Sequence, residues 1–217
     1  MSVHTETQGR VPARSTGNAS MLAQARAAVV ATLFFTLLLG VAYPLLITGV
    51  AQLAFPAQAG GSLIRDARGQ VIGSRLIAQS FTRPQYLHPR PSAAGADGYD
   101  ASASSGANLG PLNPKLVETV GQRAAALKSQ SGAAPIPADA VTASASGLDP
   151  HVSPANARMQ APRIAQARGV APAEVRRIID AHVEGPALGL LGQPRVNVLE
   201  VNLALDKALG SAEPPRR

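Results

Sequence analysis

Two polar stretches carry the residue types that do chemistry. The first, Ser102-Ala103-Ser104-Ser105-Gly106-Ala107-Asn108-Leu109-Gly110, is built from small residues whose backbone N–H groups can approach an anion closely. As a phosphate loop it is incomplete, because no Gly-Lys-Ser/Thr follows and no strand clearly leads into a helix there. A flexible surface turn is the plain alternative. The second stretch, Thr142-Ala143-Ser144-Ala145-Ser146-Gly147-Leu148-Asp149-Pro150-His151-Val152-Ser153-Pro154, sets a carboxylate, an imidazole and several hydroxyls ahead of a helix start. A Ser/His/Asp hydrolase would need the three groups in one spatial constellation, and the Gly-x-Ser-x-Gly elbow is absent. Capping is the commoner use of such residues, with Asp149 and Ser153 accepting from exposed backbone donors. The histidines at 4, 88, 151 and 182 show no i, i+4 pairing, and the chain has no cysteine, so no metal site is expected.

The elements that must position these stretches follow from spacing. Ser62-Leu63-Ile64-Arg65 and Gln70-Val71-Ile72 flank Asp66-Ala67-Arg68-Gly69, a turn sequence that predicts a hairpin. Between Thr82 and Pro114 apolar periodicity vanishes amid proline, serine, alanine and glycine, and irregular segments of that length are usually functional or disordered. Three helices follow. Asn113 caps and Pro114 starts the first, with Leu116, Val120, Ala124 and Leu127 as its buried stripe. Ser153 and Pro154 open the second, which Gly169 closes, and Pro172 opens the third, with Val175, Ile178, Ile179 and His182 inward. Val196 to Leu205 reads as a strand, with Leu199, Val201 and Leu203 alternating against Glu200, Asn202 and Ala204, and a short helix toward Leu209 ends the domain. The expected class is α+β: one N-terminal transmembrane helix, then a small sheet packed with about three helices.

From Ala27 to Phe55 there is no Asp, Glu, Lys or Arg. A hydrocarbon core ~30 Å thick needs about 20 apolar residues, so the run is long enough to span with tilt. Gly40, Gly49 and Pro44 are tolerated there because neighbouring protein compensates for them, and the small residues suit close approach of a partner helix at Gly40 and Gly49. Ala57-Gln58-Ala59 has the form of a signal cleavage site, but signal-peptide apolar regions are only ~7–15 residues long. Arg10, Arg14 and Arg26 before the span balance Arg65, Arg68 and Arg75 after it. Arg26 abuts the span, which favours a cytoplasmic N-terminus and an outward domain. The expected division is a disordered tail over 1–20, the transmembrane helix with flanks over 21–56, a soluble extracytoplasmic domain over 57–209 and a tail over 210–217.

Composition narrows the function. The net charge is +7, but arginines are scattered and aromatic residues make up 3% of the chain, which speaks against nucleic acid. Anionic membrane lipid is the milder partner for such a surface.

Several motifs then occur in order after the single span: Gly73-Ser74-x-Leu76-Ile77-x-Gln79-x-Phe81, Arg90-Pro91-Ser92-Ala93, Tyr99-Asp100, Asn108-Leu109-Gly110-Pro111-x-Asn113-Pro114, Thr142 through His151, Ala167-Arg168-Gly169, and Leu191-Gly192-x-Pro194-Arg195-Val196-Asn197-Val198-Leu199. Over about residues 21–209 the chain resembles the C-subunit family of the Kdp potassium-transporting ATPases. The resemblance implies a non-catalytic subunit in the bacterial inner (plasma) membrane, with a periplasmic or extracellular domain. Its implied partners are a channel-like potassium-binding subunit, a P-type ATPase subunit and a small peptide subunit.

The resemblance also implies support of assembly, and a catalytic-chaperone role that raises the ATPase subunit's affinity for ATP. An ATP-sensing loop would fall on Ser104, Ser105, Gly106 and Asn108, with no catalytic residue in this chain and no covalently bound cofactor. The chain agrees in lacking an Asp-Lys-Thr-Gly phosphorylation motif and a P-loop. On residues alone, two other readings stay open: a signal-anchored extracytoplasmic hydrolase using Ser, His151 and Asp149, and a secreted binding domain released after Ala59.

Overall fold

The computed structural model describes residues 20–132 and 135–210. Apart from Ser20 and Gly210, the expected terminal tails lie outside the described residues. Two compact units are divided after Ala59.

The first unit is a long helix with one widened turn. Helix α1 (Met21–Leu37) begins at Ser20, whose Oγ accepts from Ala23 N at 3.3 Å. It passes through a π-helical turn over Leu38–Ala42 into α2 (Tyr43–Ala54), and a single further turn, α3 (Pro56–Ala59), follows. Proline explains the wide turn. Pro44 has no N–H, and its ring would collide with the carbonyl four residues back. Widening the preceding turn relieves that collision, and Tyr43 N instead donates to Leu38 O, five residues earlier. The helix has a mean hydropathy of 2.2 over its best window, and none of that window is buried within the chain. An apolar surface exposed all round is what lipid or membrane protein covers.

In the second unit, β1 (Leu63–Arg65) and β2 (Val71–Ser74) form the expected antiparallel hairpin, with Leu63 opposite Ser74. Its turn is closed by Asp66, whose Oδ1 accepts from Arg68 N and Gln70 N at 2.9 Å each. Gly69 supplies a φ of 80°. Helix α4 (Pro114–Ser131) starts where Asn113 caps it, and Gly132 ends it in the left-handed region. A short α5 (Ala138–Val141) and β3 (His151–Val152) lead to α6 (Pro154–Arg168), α7 (Pro172–Ala181), β4 (Val183–Glu184), β5 (Arg195–Asn197) and α8 (Val198–Leu209). The sheet is antiparallel in the order β3-β5-β4. The α+β expectation holds. The core gathers Val152 and Val196 from the sheet, Ala157, Ala161 and Ile164 from α6, Val175 and Ile179 from α7, and Val201 and Leu205 from α8.

Two expectations need correction. The segment from Val196 to Leu205 is a strand only as far as Asn197, after which it turns into α8. Val198, Val201, Asn202 and Leu205 are buried at i, i+3, i+4 and i+7, the helical spacing, and the apparent alternation was accidental. Asn197 caps the helix through Glu200 N at 3.2 Å, and Glu three residues after the cap is a start signal. The stripe Leu116, Val120, Ala124 and Leu127 is half-buried, and no residue of α4 is fully buried.

The long irregular segment is ordered by side chains that take the place of a neighbouring strand. Asn202 holds Leu87 at both ends: Leu87 N donates to Asn202 Oδ1 at 2.7 Å, and Asn202 Nδ2 donates to Leu87 O at 3.0 Å. Gln160 grips His88 in the same way, at 2.8 and 3.1 Å. Arg163 donates to Pro84 O and Tyr86 O, and Arg168 to Gln85 O. Buried backbone groups must find partners, and here α6 and α8 supply them.

Candidate functional site

The two polar stretches singled out in the sequence lie against each other. Ser104 Oγ donates to Ser146 O at 2.9 Å, and Ser105 Oγ donates to Ala93 O at 2.8 Å. A Cβ on Gly106 would lie 2.6 Å from Ala145 O, so only glycine permits this approach. Gly147 is packed from the other side. Its φ is 69°, and a Cβ there would meet Ala94 N and Ser105 O at 2.7 Å.

Ser92 is the hub between them. Its Oγ accepts from Ala94 N at 3.1 Å and Tyr99 N at 2.8 Å, and donates to Gly147 O at 2.7 Å. Tyr99, held at a φ of 58°, donates its hydroxyl to Arg90 O at 2.8 Å. Motifs far apart in the chain are thus one interlock. Its serine hydroxyl donors are engaged with carbonyls, so Ser104 and Ser105 present no spare O–H to a phosphate in this arrangement. Asn108 is exposed at a φ of 49°.

Asp149 and Ser153 divide their work. Ser153 Oγ accepts from Asn156 N at 3.1 Å and caps α6. Asp149 serves the strand: its Oδ1 accepts from His151 N at 3.0 Å, and its Oδ2 from Arg90 at 3.1 Å. Burial alone would raise the Asp149 carboxyl. Hydrogen bonds from the His151 side chain, the His151 N–H and Arg90 outweigh it and hold the group below the usual carboxylate range. Asp149 and the His151 ring are 3.5 Å apart, yet Ser153 Oγ donates to Asp139 instead of joining them. Asp139, which the sequence reading missed, accepts from Ser153 N, Ser153 Oγ and Asn156 Nδ2 at 2.7, 2.8 and 3.0 Å. Among the described residues no cluster of His, Cys, Asp and Glu could hold a metal ion.

A second feature had no sequence signal. The C-terminal half of α4, α6 and residues 80–91 line a cavity of about 460 Å³ whose wall includes Phe81, His88, Arg123, Leu127, Gln160 and Arg163. Among the described residues no Asp or Glu lines it. Gly40 and Gly49 lie on the helical unit, where a Cβ on Gly40 would come no closer than 3.9 Å to Thr36 and one on Gly49 would meet nothing within 4 Å.

The comparisons with known proteins agree with these motifs. Residues 25–207 match the family model described as KdpC, K+-transporting ATPase, c chain. A protein of Caulobacter sp. (strain K31) named potassium-transporting ATPase KdpC subunit is 62% identical over 186 residues, covering 86% of this chain and 94% of its own. Its namesake in Beijerinckia indica is 59% identical over 197 residues, covering 90% and 99%. That of Geobacter sulfurreducens is 52% identical over 179 residues, covering 82% and 95%. With a family match over residues 25–207 and relatives of this identity covering most of its length, the chain belongs to the KdpC family, the c chain of K+-transporting ATPases.

Proposed function

We propose that this chain is a non-catalytic accessory subunit of a potassium-uptake ATPase complex and that it works by holding its partners together. The partners are the channel-like potassium-binding subunit, the P-type ATPase subunit and the small peptide subunit. The span crosses the inner membrane once with its N-terminus in the cytoplasm, packs on a membrane partner through Gly40 and Gly49, and presents the domain on the outer side. The observation that carries this reading is the loop between β4 and β5. Leu188, Leu190 and Leu191 are 91, 87 and 64% exposed there, and Leu188 is held at a φ of 53°. A leucine in the left-handed region is strained by roughly 1–2 kcal/mol, and its side chain gains nothing from the domain's own core. Such a projecting apolar tip fits a socket on another protein.

Nucleotide sensing at Ser104, Ser105, Gly106 and Asn108 gains less support. The two hydroxyls are engaged inside the interlock, and Gly106 faces a carbonyl of its own chain. The loop therefore positions the domain's surface, and ATP belongs to the ATPase subunit.

The test is Leu188→Ser with Leu190→Ser in the co-expressed complex. Burying two leucines contributes about 3 kcal/mol or more, roughly a 100-fold change in affinity. Insertion and domain melting should stay as in the wild type, while recovery of partner subunits and potassium-stimulated ATPase activity fall together. Normal recovery would refute the reading. ATP titrated into the chain should show no affinity tighter than roughly 1 mM. Micromolar binding abolished by changing Ser104, Ser105 and Asn108 to Ala would favour nucleotide sensing instead.

A further inference from the structure

The cavity beside α4 has no part in the assembly reading and does not depend on it. Half of the described arginines in the domain meet carboxylates: Arg68 with Asp66, Arg75 with Glu200, Arg90 with Asp149, Arg158 with Asp180, Arg168 with Asp206 and Arg195 with Glu184. The two arginines in the cavity wall do not. Arg163 donates to Pro84 O, Tyr86 O and Gln160 Oε1, all neutral, and lies 3.3 Å from His88 Nε2. Arg123 donates to Val141 O at 3.0 Å. The other described arginines without a carboxylate are all solvent-exposed, so Arg123 and Arg163 alone among the described arginines are half-buried and uncompensated.

Desolvation lowers Arg163 to about 10, which leaves it a cation at neutral pH while showing that its charge is partly withdrawn from water. Burial, and then the neighbouring Arg163, hold His88 below the ordinary imidazole range, so it adds no third charge at neutral pH. Two such cations without a protein counter-charge are the condition in which an anion gains most from charge-assisted hydrogen bonds. The rest of the wall is largely apolar, with Phe81 and Leu127, and about 460 Å³ is a size that small organic ligands fill.

We propose that this cavity binds a small organic anion, its phosphate or carboxylate group hydrogen-bonded by Arg123, whose guanidinium makes a single hydrogen bond, and attracted by the charge of Arg163, whose Nη groups are already engaged, with a compact apolar body against Phe81 and Leu127. The test uses the full chain in uncharged detergent micelles, titrated calorimetrically with benzylphosphonate and, separately, with inorganic phosphate. Benzylphosphonate should bind with a Kd tighter than roughly 1 mM, inorganic phosphate at least about 10-fold more weakly for want of an apolar body, and added salt should weaken both. Arg163→Gln and Arg123→Gln should each weaken benzylphosphonate at least about 10-fold. Arg158→Gln, which removes the same charge from an exposed ion pair, should leave it unchanged. Arg163 also holds the 82–92 segment, so if its variant does not fold, Arg123→Gln decides, since Arg123 gives up a single hydrogen bond. Absence of binding at about 10 mM, or an equal loss in Arg158→Gln, would overturn the proposal.

Discussion

Replacing Asn202 by Ala tests whether amide side chains hold the irregular segment. Asn202 is 2% exposed and Leu87 is fully buried, so water cannot replace what the substitution removes. Two hydrogen bonds of 2.7 and 3.0 Å are lost, and the N–H and C=O of Leu87 are left unpaired. A buried polar group stripped of its partner costs about 1–3 kcal/mol, so two of them, with some relaxation of the chain, give roughly 3–4 kcal/mol. For a unit of this size that corresponds to a fall in Tm of about 6–16 °C. The assay is thermal unfolding of the full chain in detergent followed by circular dichroism, read against Gln166→Ala as an exposed control. The effect should appear together with faster proteolysis within residues 82–92, because those residues have no strand ladder to fall back on. A loss below about 1 kcal/mol with unchanged protease resistance would show that Asn202 is a passenger and that apolar packing of Leu87 suffices.

Gly147→Ala should destabilise the domain by roughly 2–4 kcal/mol, since its Cβ would strike Ala94 and Ser105 at a φ of 69°. Gly169→Ala has the same φ but open space, and should cost only about 1 kcal/mol; equal melting of the two variants would contradict the interlock. Because the folded Asp149 carboxyl is depressed, its contribution is present above the unfolded value of ~3.9 and lost as pH falls through the lower folded value. Arg90→Gln removes one of the groups that depress it, so acid unfolding should begin at a higher pH, and an unmoved acid midpoint would exclude the pair as a source of stability. Gly40→Leu or Gly49→Leu should weaken co-purification with a membrane partner while leaving insertion intact, because added bulk at a close helix crossing removes contacts that lipid does not restore. Full partner recovery in both would place these glycines toward lipid.

Local rules sufficed wherever one short stretch contained all the information. The long apolar helix is legible because its length and lack of charge are properties of one continuous stretch. The hairpin around Gly69 and the helix starts at Asn113-Pro114 and Ser153-Pro154 are legible because caps and tight turns are settled within a few residues. The motif order likewise indicated the family before any geometry was known. Val196 to Leu205 went wrong because β-branched and leucine residues satisfy period 2 and period 3.6 together, and packing on the core selected the helix although the Asn197 to Glu200 spacing was there to be read.

What no local rule contains is long-range pairing. Ser104 meets Ser146 across 42 positions, Leu87 meets Asn202 across 115, and Asp139 gathers the start of α6. The cavity is lined by α4, α6 and residues 80–91, and Arg123 and Arg163 share its wall while lying on different helices. Hydrogen-bond donors and charges act through space at a few ångströms, whereas sequence records only their order along the chain. Tertiary structure therefore decided that the serines bind their own backbone, that Asp149 serves a strand rather than the helix, and that two arginines share a wall without a counter-ion.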